Sequence, residues 1–386
     1  QAANPVSARP EWLHPWVQRA LRRVPYYRRY GGWAGDLEAL PTIDRGDLTR
    51  EVWSFVPDDQ ALDSMVVYYT SGTTASKLWV MAEPAVSSKY LVLLRRAMAL
   101  HGVRLEGHPA WAGPVSVAMV SCQQETLTYP CTSLFLGGAG FVKLNLNPAS
   151  WRHPADRERF LDHCNPEVYT GNPLAFQELA RLDLSTRPKA LMSTAMALSE
   201  GLRASLEEGF GCPVLDVYSM CECRMLAVKV GGVHQLLAND VHVEVLDESD
   251  RPVPAGERGE VTLTGGRNPF MPLLRYRTGD HAALALRGQV PVLVGLEGRQ
   301  PVVFVRADGS KLNNIDVTTA LQDVPVARYH LHQAADRSLR LEYCGDAELS
   351  RPLSEGLDKL FPGLPLTVDR TELDSRKMLR YTSEAV

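Results

Sequence analysis

With 386 residues, 45% of them hydrophobic and 22% charged, the chain has the makeup of a soluble folded protein with room for more than one domain. A formal net charge of −4 provides no basic bias toward nucleic acid or anionic lipid, and no apolar run nears the roughly 18 residues of a membrane span. Seven cysteines, odd in number and scattered from Cys122 to Cys344, predict reduced thiols and a cytoplasmic location.

The opening stretch carries Trp12, Trp16, Ala20, Leu21 and Val24 at helical spacing, and Pro25 is expected to end or bend that helix. It shows no apolar core with a small-residue cleavage site, so no secretory signal is expected, and the absence of an initiator Met reads as a trimmed start. Leu40-Pro41 turns into a short helix with Thr42 or Asp44 available as its cap. Val66 to Tyr69 is a β-type run that stops at Thr70-Ser71-Gly72-Thr73-Thr74 and resumes at Leu78 to Met81, before a helix from Ser87 to Leu100. Strands are predicted at Val115–Val120, Gly140–Asn145, Glu167–Tyr169, Lys189–Met192 and Val214–Val217, with amphipathic helices at Pro173–Arg181 and Ser199–Phe210 between them. That alternation predicts an α/β architecture.

From Val241 to Leu286 the pattern becomes short strands and turns, as in Val241–Val245 and Gly259–Leu263. After Gly298-Arg299 the chain starts again with a strand at Val302–Val305, a helix at Asn314–Gln322, a strand at Ser338–Tyr343 and a helix at Leu353–Leu360. The expected division is a large domain over 1–298, made of β-sheets flanked by helices with a β-rich subdomain, and a small mobile α+β domain over 299–386.

The run Thr70-Ser71-Gly72-Thr73-Thr74 has what a phosphate-holding loop needs: a Gly that lets the backbone approach, exposed N–H groups, and hydroxyls as added donors. It lacks the spacing of a Walker loop, and a polar hairpin turn is the other reading of it. Together with Tyr69 it resembles the signature loop of the adenylate-forming superfamily, which includes acyl-CoA ligases, peptide-synthetase adenylation domains and luciferases. The family loop continues with Gly and Pro-Lys, where this chain has Ala75-Ser76-Lys77.

Further motifs of that superfamily follow in order. Tyr218-Ser219-Met220-Cys221-Glu222 resembles Tyr-Gly-x-Thr/Ser-Glu, which implies Tyr218 stacked on adenine and Glu222 holding Mg²⁺. Cys221 and Cys223 flank that Glu, yet a metal site takes about four ligands and no second close pair exists, so a structural zinc is not expected. Tyr276-Arg277-Thr278-Gly279-Asp280 matches the family's Tyr-Arg-Thr-Gly-Asp without change, which implies Asp280 on the ribose diol. Gly298-Arg299 resembles the Gly-Arg that closes the large domain, with Gln300-Pro301 where an acidic or lysine hinge is usual. Ser375-Arg376-Lys377 resembles the last motif, with Lys377 aligned to the catalytic lysine that stabilises charge on the α-phosphate.

Leu40-Pro41 to Leu48, Gly171-Asn172-Pro173, Ser199 to Arg203 and Pro272 to Tyr276 are similar to the phenylacetate–CoA ligase branch. By order, Tyr129, Gly137 and Gly138 are expected near the acyl pocket, with the Gly run leaving room for a ring; a strand and turn of the core is the alternative. Thr194 and Ala195 fall where the family has a segment beside adenine.

The resemblance implies ATP-dependent activation of a small, planar aromatic acid to its acyl-adenylate with Mg²⁺, then transfer to coenzyme A. Two alternatives stand beside it: transfer to a carrier protein or an amine, and a non-catalytic descendant that binds nucleotide or acyl ligand.

Overall fold

The computed structural model describes residues 9–69, 78–107, 110–123, 126, 128–133, 137–237, 240–298, 302–371 and 380–385. The chain divides into two compact units, each assembled from two stretches of sequence: residues 1–100 with 217–300, and 101–216 with 301–386. Among the described residues no helix is long and apolar enough to cross a membrane.

The first unit begins with helix Leu13–Arg23, which buries Leu13, Val17, Ala20 and Leu21, the stripe expected from their spacing. Pro25 ends it and also opens the next helix, Pro25–Arg28, since a proline at the first helical position gives up an N–H that would have no partner anyway. Tyr26 from that turn stacks on Phe55, with ring centroids 4.1 Å apart. Of the two caps expected for helix Arg45–Arg50, Asp44 serves, in a reciprocal box with Asp47, while the Thr42 hydroxyl bonds to Asp250 at 3.1 Å.

Strands Val66–Tyr69 and Trp79–Ala82 pair antiparallel, with Tyr69 opposite Trp79. The remaining strands form an antiparallel array in the order Val241–Leu246, Arg258–Gly265, Leu273–Arg287, Val290–Gly298, Val233–Leu236 and Arg224–Val230, ending on Val217 to Met220. The Tyr276–Asp280 motif lies inside the fifteen-residue strand Leu273–Arg287, which register shifts interrupt. Arg275 at φ +47° and Gly279 at φ +80° bend this strand, which removes the alternation by which a strand is read from sequence.

Among the described residues, Arg275 is the largest fully buried side chain of the unit. Its guanidinium donates to the carbonyls of Leu40 at 2.6 Å, Glu38 at 3.2 Å and Asp250 at 2.9 Å. Beside it, Ile43 N donates to Arg275 O at 3.1 Å and Arg277 N to Ile43 O at 2.8 Å. The segment leading into helix Arg45–Arg50 is thereby fixed to the motif strand.

The second unit holds parallel strands in the order Ala190–Ser193, Val168–Gly171, Val115–Ser121 and Ala139–Asn145, with Tyr129–Ser133 antiparallel at the edge. Val214 to Asp216 pair in parallel beside Ala190–Ser193. Helices Asp156–Cys164, Pro173–Leu179 and Glu200–Phe210 supply Leu161, Phe176 and Leu206 to the core. Asn172 and Ser199 cap the latter two through their side chains.

The C-terminal part of this unit is an α+β layer. Its sheet runs Leu366–Arg370, Leu339–Cys344, Arg328–Gln333 and Tyr381–Ser383, and helices Asn314–Leu321 and Ser350–Leu360 pack on it around Phe304, Leu331, Leu341 and Phe361. It is joined to helix Glu200–Phe210 by Ser199, whose hydroxyl lies 3.0 Å from Val324 O and 3.2 Å from Val326 O, and by Gly201 N, which donates to Gln322 O at 2.9 Å.

Candidate functional site

The turn Met220 to Arg224 joins strands Val214–Met220 and Arg224–Val230 and presents Glu222. Cys223 is buried and Cys221 exposed, so the two thiols meet different surroundings. From behind, Arg267, itself only 1% exposed on its side chain, reaches the carbonyls of Cys223 and Met225 and pairs with Asp240 at 2.7 Å. The neighbouring Asn268 donates to Met81 O at 2.6 Å on strand Trp79–Ala82.

Glu222 is nearly enclosed, at 6% exposure. The Tyr276 hydroxyl donates to its Oε1 at 3.2 Å, and Arg45 Nη1 stands 3.6 Å from the same oxygen. Burial, then the nearby Glu222 charge, lifts the Tyr276 phenol well above the ordinary tyrosine range, so it remains a donor. Both contacts fall on Oε1. The carboxylate has a second oxygen to turn toward a hard cation, and Mg²⁺ commonly takes one protein carboxylate alongside phosphate oxygens and water; the residues present fit that ion.

On the strand leading into the same turn, the Tyr218 hydroxyl donates to Asp280 Oδ2 at 2.7 Å, joining residues 62 positions apart. Burial and the Asp280 carboxylate together raise the Tyr218 phenol well above its usual range. Asp280 pairs across the sheet with Gly298, where a Cβ would stand 3.3 Å from Asp280 Oδ1. Glycine at 298 thus leaves that face of the carboxylate clear. Glu260 organises the motif from below: it takes the Arg277 guanidinium at 2.8 Å through Nε and the Gly279 N–H at 2.8 Å. The structure therefore brings Tyr218, Glu222 and Asp280 together on adjoining stretches of one unit. Sequence reasoning assigned no role to Tyr276 or Arg45: Tyr276 lay within a recognised motif, and Arg45 within a stretch, Leu40 to Leu48, noted only for its family likeness.

In the second unit, Thr194 and Ala195 directly follow strand Ala190–Ser193, at the carboxyl ends of the parallel strands. Thr194 N donates to Gly171 O at 2.8 Å. Ala195 is exposed with φ +68°, a left-handed backbone rarely held by a residue with a Cβ. Tyr129, 44% exposed, pairs with Lys143 near the carboxyl end of Ala139–Asn145, and so lies along the same edge. Asn145 at that edge is bonded to Gln123 through both its amide groups, at 3.1 and 2.9 Å. Gly137 and Gly138 lie at the other end of the hairpin, with φ +66° and +85° in its turn, and a Cβ at Gly138 would meet nothing within 4 Å. The turn's backbone accounts for that glycine pair, and the structure does not bring it together with Tyr129, Thr194 and Ala195. Ser71, Gly72, Thr73, Thr74, Arg299 and Lys377 lie outside the described residues.

A family model described as AMP-binding enzyme matches residues 35–270, more than half of the chain. A phenylacetate-coenzyme A ligase of Thermus thermophilus is 25% identical over 306 residues, covering 70% of this chain and 63% of that protein. Protein CapK of Staphylococcus aureus is 24% identical over 180 residues, 42% of this chain and 38% of the relative. The chain thus spans less than two thirds of the length of either. Among solved structures, a 2-hydroxyisobutyryl-CoA ligase in its postadenylation state with 2-HIB-AMP superposes with a TM-score of 0.68 at 17% identity, over 100% of this chain and 93% of that one. An anthranilate CoA ligase in complex with anthranoyl-AMP gives a TM-score of 0.56 at 14% identity, over 83% and 66%. At these identities the likeness establishes the fold: mixed α/β with a C-terminal subdomain, as in adenylate-forming enzymes.

Proposed function

The chain belongs to the AMP-binding enzyme family, and on that premise we propose that it activates a small carboxylic acid with ATP and passes the acyl group to the thiol of coenzyme A. The carrying observation is the Tyr218–Asp280 hydrogen bond. It sets an aromatic ring and a carboxylate side by side, the pair of groups suited to a base and the diol of its ribose.

In this reading Tyr218 stacks on adenine and Asp280 accepts from the ribose hydroxyls. Ser71, Gly72, Thr73 and Thr74 hold the phosphates, and Arg299 meets the nucleotide beside Gly298. The acid carboxylate attacks the α-phosphorus, its oxygen forms the new bond, and pyrophosphate leaves. Lys377 stabilises the charge that builds on the non-bridging oxygens. Glu222 would hold Mg²⁺, which neutralises phosphate charge when bound. Thr194 and Ala195, with Tyr129 along the same strand edge, are the residues proposed to meet the acid.

The proposed acid is a small aromatic one. The matched relative named for phenylacetate and the neighbour holding anthranoyl-AMP support that choice. The neighbour holding 2-HIB-AMP makes short hydroxy acids the comparison arm of any panel. We also propose that residues 299–386 act as a lid, whose rotation must break the contacts of Ser199 and Gly201 with the turn 322–326.

The test is acid-dependent exchange of labelled pyrophosphate into ATP, with aromatic and short aliphatic acids. Exchange driven by an aromatic acid is expected, followed by consumption of the adenylate when coenzyme A is added. No exchange with any acid, in a folded chain that binds ATP, refutes the activation step; an adenylate consumed only by an amine refutes the acceptor.

A further inference from the structure

Arg45 stands beside a carboxylate that a divalent cation would claim. Its Nη1 is 3.6 Å from Glu222 Oε1, a charge contact and not a forked hydrogen bond. The two partners differ in access: the Glu222 side chain is 7% exposed and that of Arg45 32%. The backbone beneath Arg45 is fixed. Asp44 and Asp47 close a capping box around the start of its helix, and Ile43 is bonded on both sides to the motif strand, at 3.1 and 2.8 Å. Movement at this point therefore belongs to the Arg45 side chain and not to its helix.

We propose that Arg45 is a ligand for the phosphate chain of the nucleotide, exchanging Glu222 for phosphate oxygens when ATP and its metal bind. The inference rests on the nucleotide-binding reading above. A divalent cation and a guanidinium repel each other across one carboxylate oxygen pair. When the cation takes Glu222, the Arg45 guanidinium gives up that carboxylate, in a setting closed to bulk water on the Glu222 side. The anion delivered with the metal is a polyphosphate, whose oxygens match the planar fork of a guanidinium. Tyr276 stays on Oε1 throughout and keeps the carboxylate aimed. Arg45 is thus a counter-ion in the empty chain and a phosphate ligand in the loaded one.

The experiment compares the wild-type chain with Arg45→Met and Arg45→Lys by equilibrium binding of ATP, inorganic pyrophosphate and AMP, each with Mg²⁺. Thermal melts confirm that the variants fold. Arg45→Met should weaken ATP and pyrophosphate about tenfold, the worth of one charge-assisted hydrogen bond, and leave AMP within about twofold. Arg45→Lys should recover part of the loss, because it restores charge without the fork. A second readout needs no nucleotide: Mn²⁺ titrated against the empty chain and followed by its paramagnetic resonance should bind more tightly to Arg45→Met, which has lost the competing cation. Equal weakening of AMP and ATP, unchanged ATP binding, or weaker Mn²⁺ binding overturns the proposal. If the wild-type chain binds neither ATP nor AMP, the nucleotide reading falls and this inference with it; if it binds ATP and Arg45→Met does so equally, only the inference falls.

Discussion

Tyr218→Phe separates two roles proposed for one side chain. The variant keeps the ring for the base and removes only the hydroxyl that donates to Asp280 Oδ2 at 2.7 Å. A hydrogen bond to a charged acceptor is worth about 1.5–3 kcal/mol, and the partial exposure of both residues favours the lower end. Water can solvate the carboxylate left behind, so the loss should appear as poorer orientation of Asp280 toward ribose and not as misfolding. The expected weakening of ATP is about 1.5 kcal/mol, roughly tenfold. Tyr218→Ala should forfeit about 1 kcal/mol more, the stacking share of an aromatic ring.

Calorimetric titration with ATP and 2′-deoxy-ATP tests the reasoning at its centre. The wild-type chain should prefer ATP by about tenfold, one hydrogen bond to a carboxylate. Asp280→Ala should erase that preference and Tyr218→Phe should reduce it. Full retention of the preference in Asp280→Ala would refute the ribose assignment, whatever happens to overall affinity.

Three further outcomes follow from other parts of the molecule. Lys377→Ala should lower acid-dependent pyrophosphate exchange by about 100-fold or more while ATP binding is spared; unchanged exchange would remove Lys377 from the chemistry. A Cβ at Gly201 would stand 2.2 Å from Asp323 O, so Gly201→Ala should destabilise by about 1–3 kcal/mol, read as a lower denaturant midpoint, and an unchanged midpoint would show that the 322–326 turn yields freely. His242 gives a pH dependence: burial, with a lesser contribution from Arg9, holds its imidazole down from 6.5 to about 4. The unfolded chain takes up that proton first, so this stability is complete above pH 6.5 and is lost as pH falls toward 4, by about 2 kcal/mol at pH 5. His242→Phe should flatten that slope in denaturation curves at pH 7 and 5; equal slopes in both proteins would refute the assignment.

What the sequence made legible in this chain was chemistry carried by neighbours in sequence. Tyr218 with Glu222, and Tyr276 through Asp280, are short runs whose residue types suit a base, a cation and a diol, and the fold sets them on adjoining stretches of one unit. The strands and helices of the α/β part were equally legible, because Val168–Gly171 and Ala190–Ser193 open on apolar residues, Val168-Tyr169 and Ala190-Leu191-Met192, and helix Glu200–Phe210 opens at its Ser199 cap. Features that depend on register or φ were not legible. Leu273–Arg287 hides as a strand because its bulges cancel the two-residue period. Gly137 and Gly138 read equally well as space for a ring or as a turn, and their φ values of +66° and +85° are those of a turn.

Arg45 is the sharpest case. Nothing around Ile43-Asp44-Arg45 differs from an ordinary capped helix, and the residue gains its meaning from a bridge between Ile43 and Tyr276 far along the chain. That bridge places a cation at the one enclosed carboxylate of the motif turn. Local patterns could therefore name the groups proposed to meet the base, the sugar, the metal and, at Ser71 to Thr74, the phosphates, while Arg45 as an added phosphate ligand emerged only from long-range pairing. Such a site is sensitive to changes in residues that support it: loosening the hold of Arg275 on Leu40 and Glu38 would loosen the segment that carries Arg45 without altering any residue proposed to touch nucleotide.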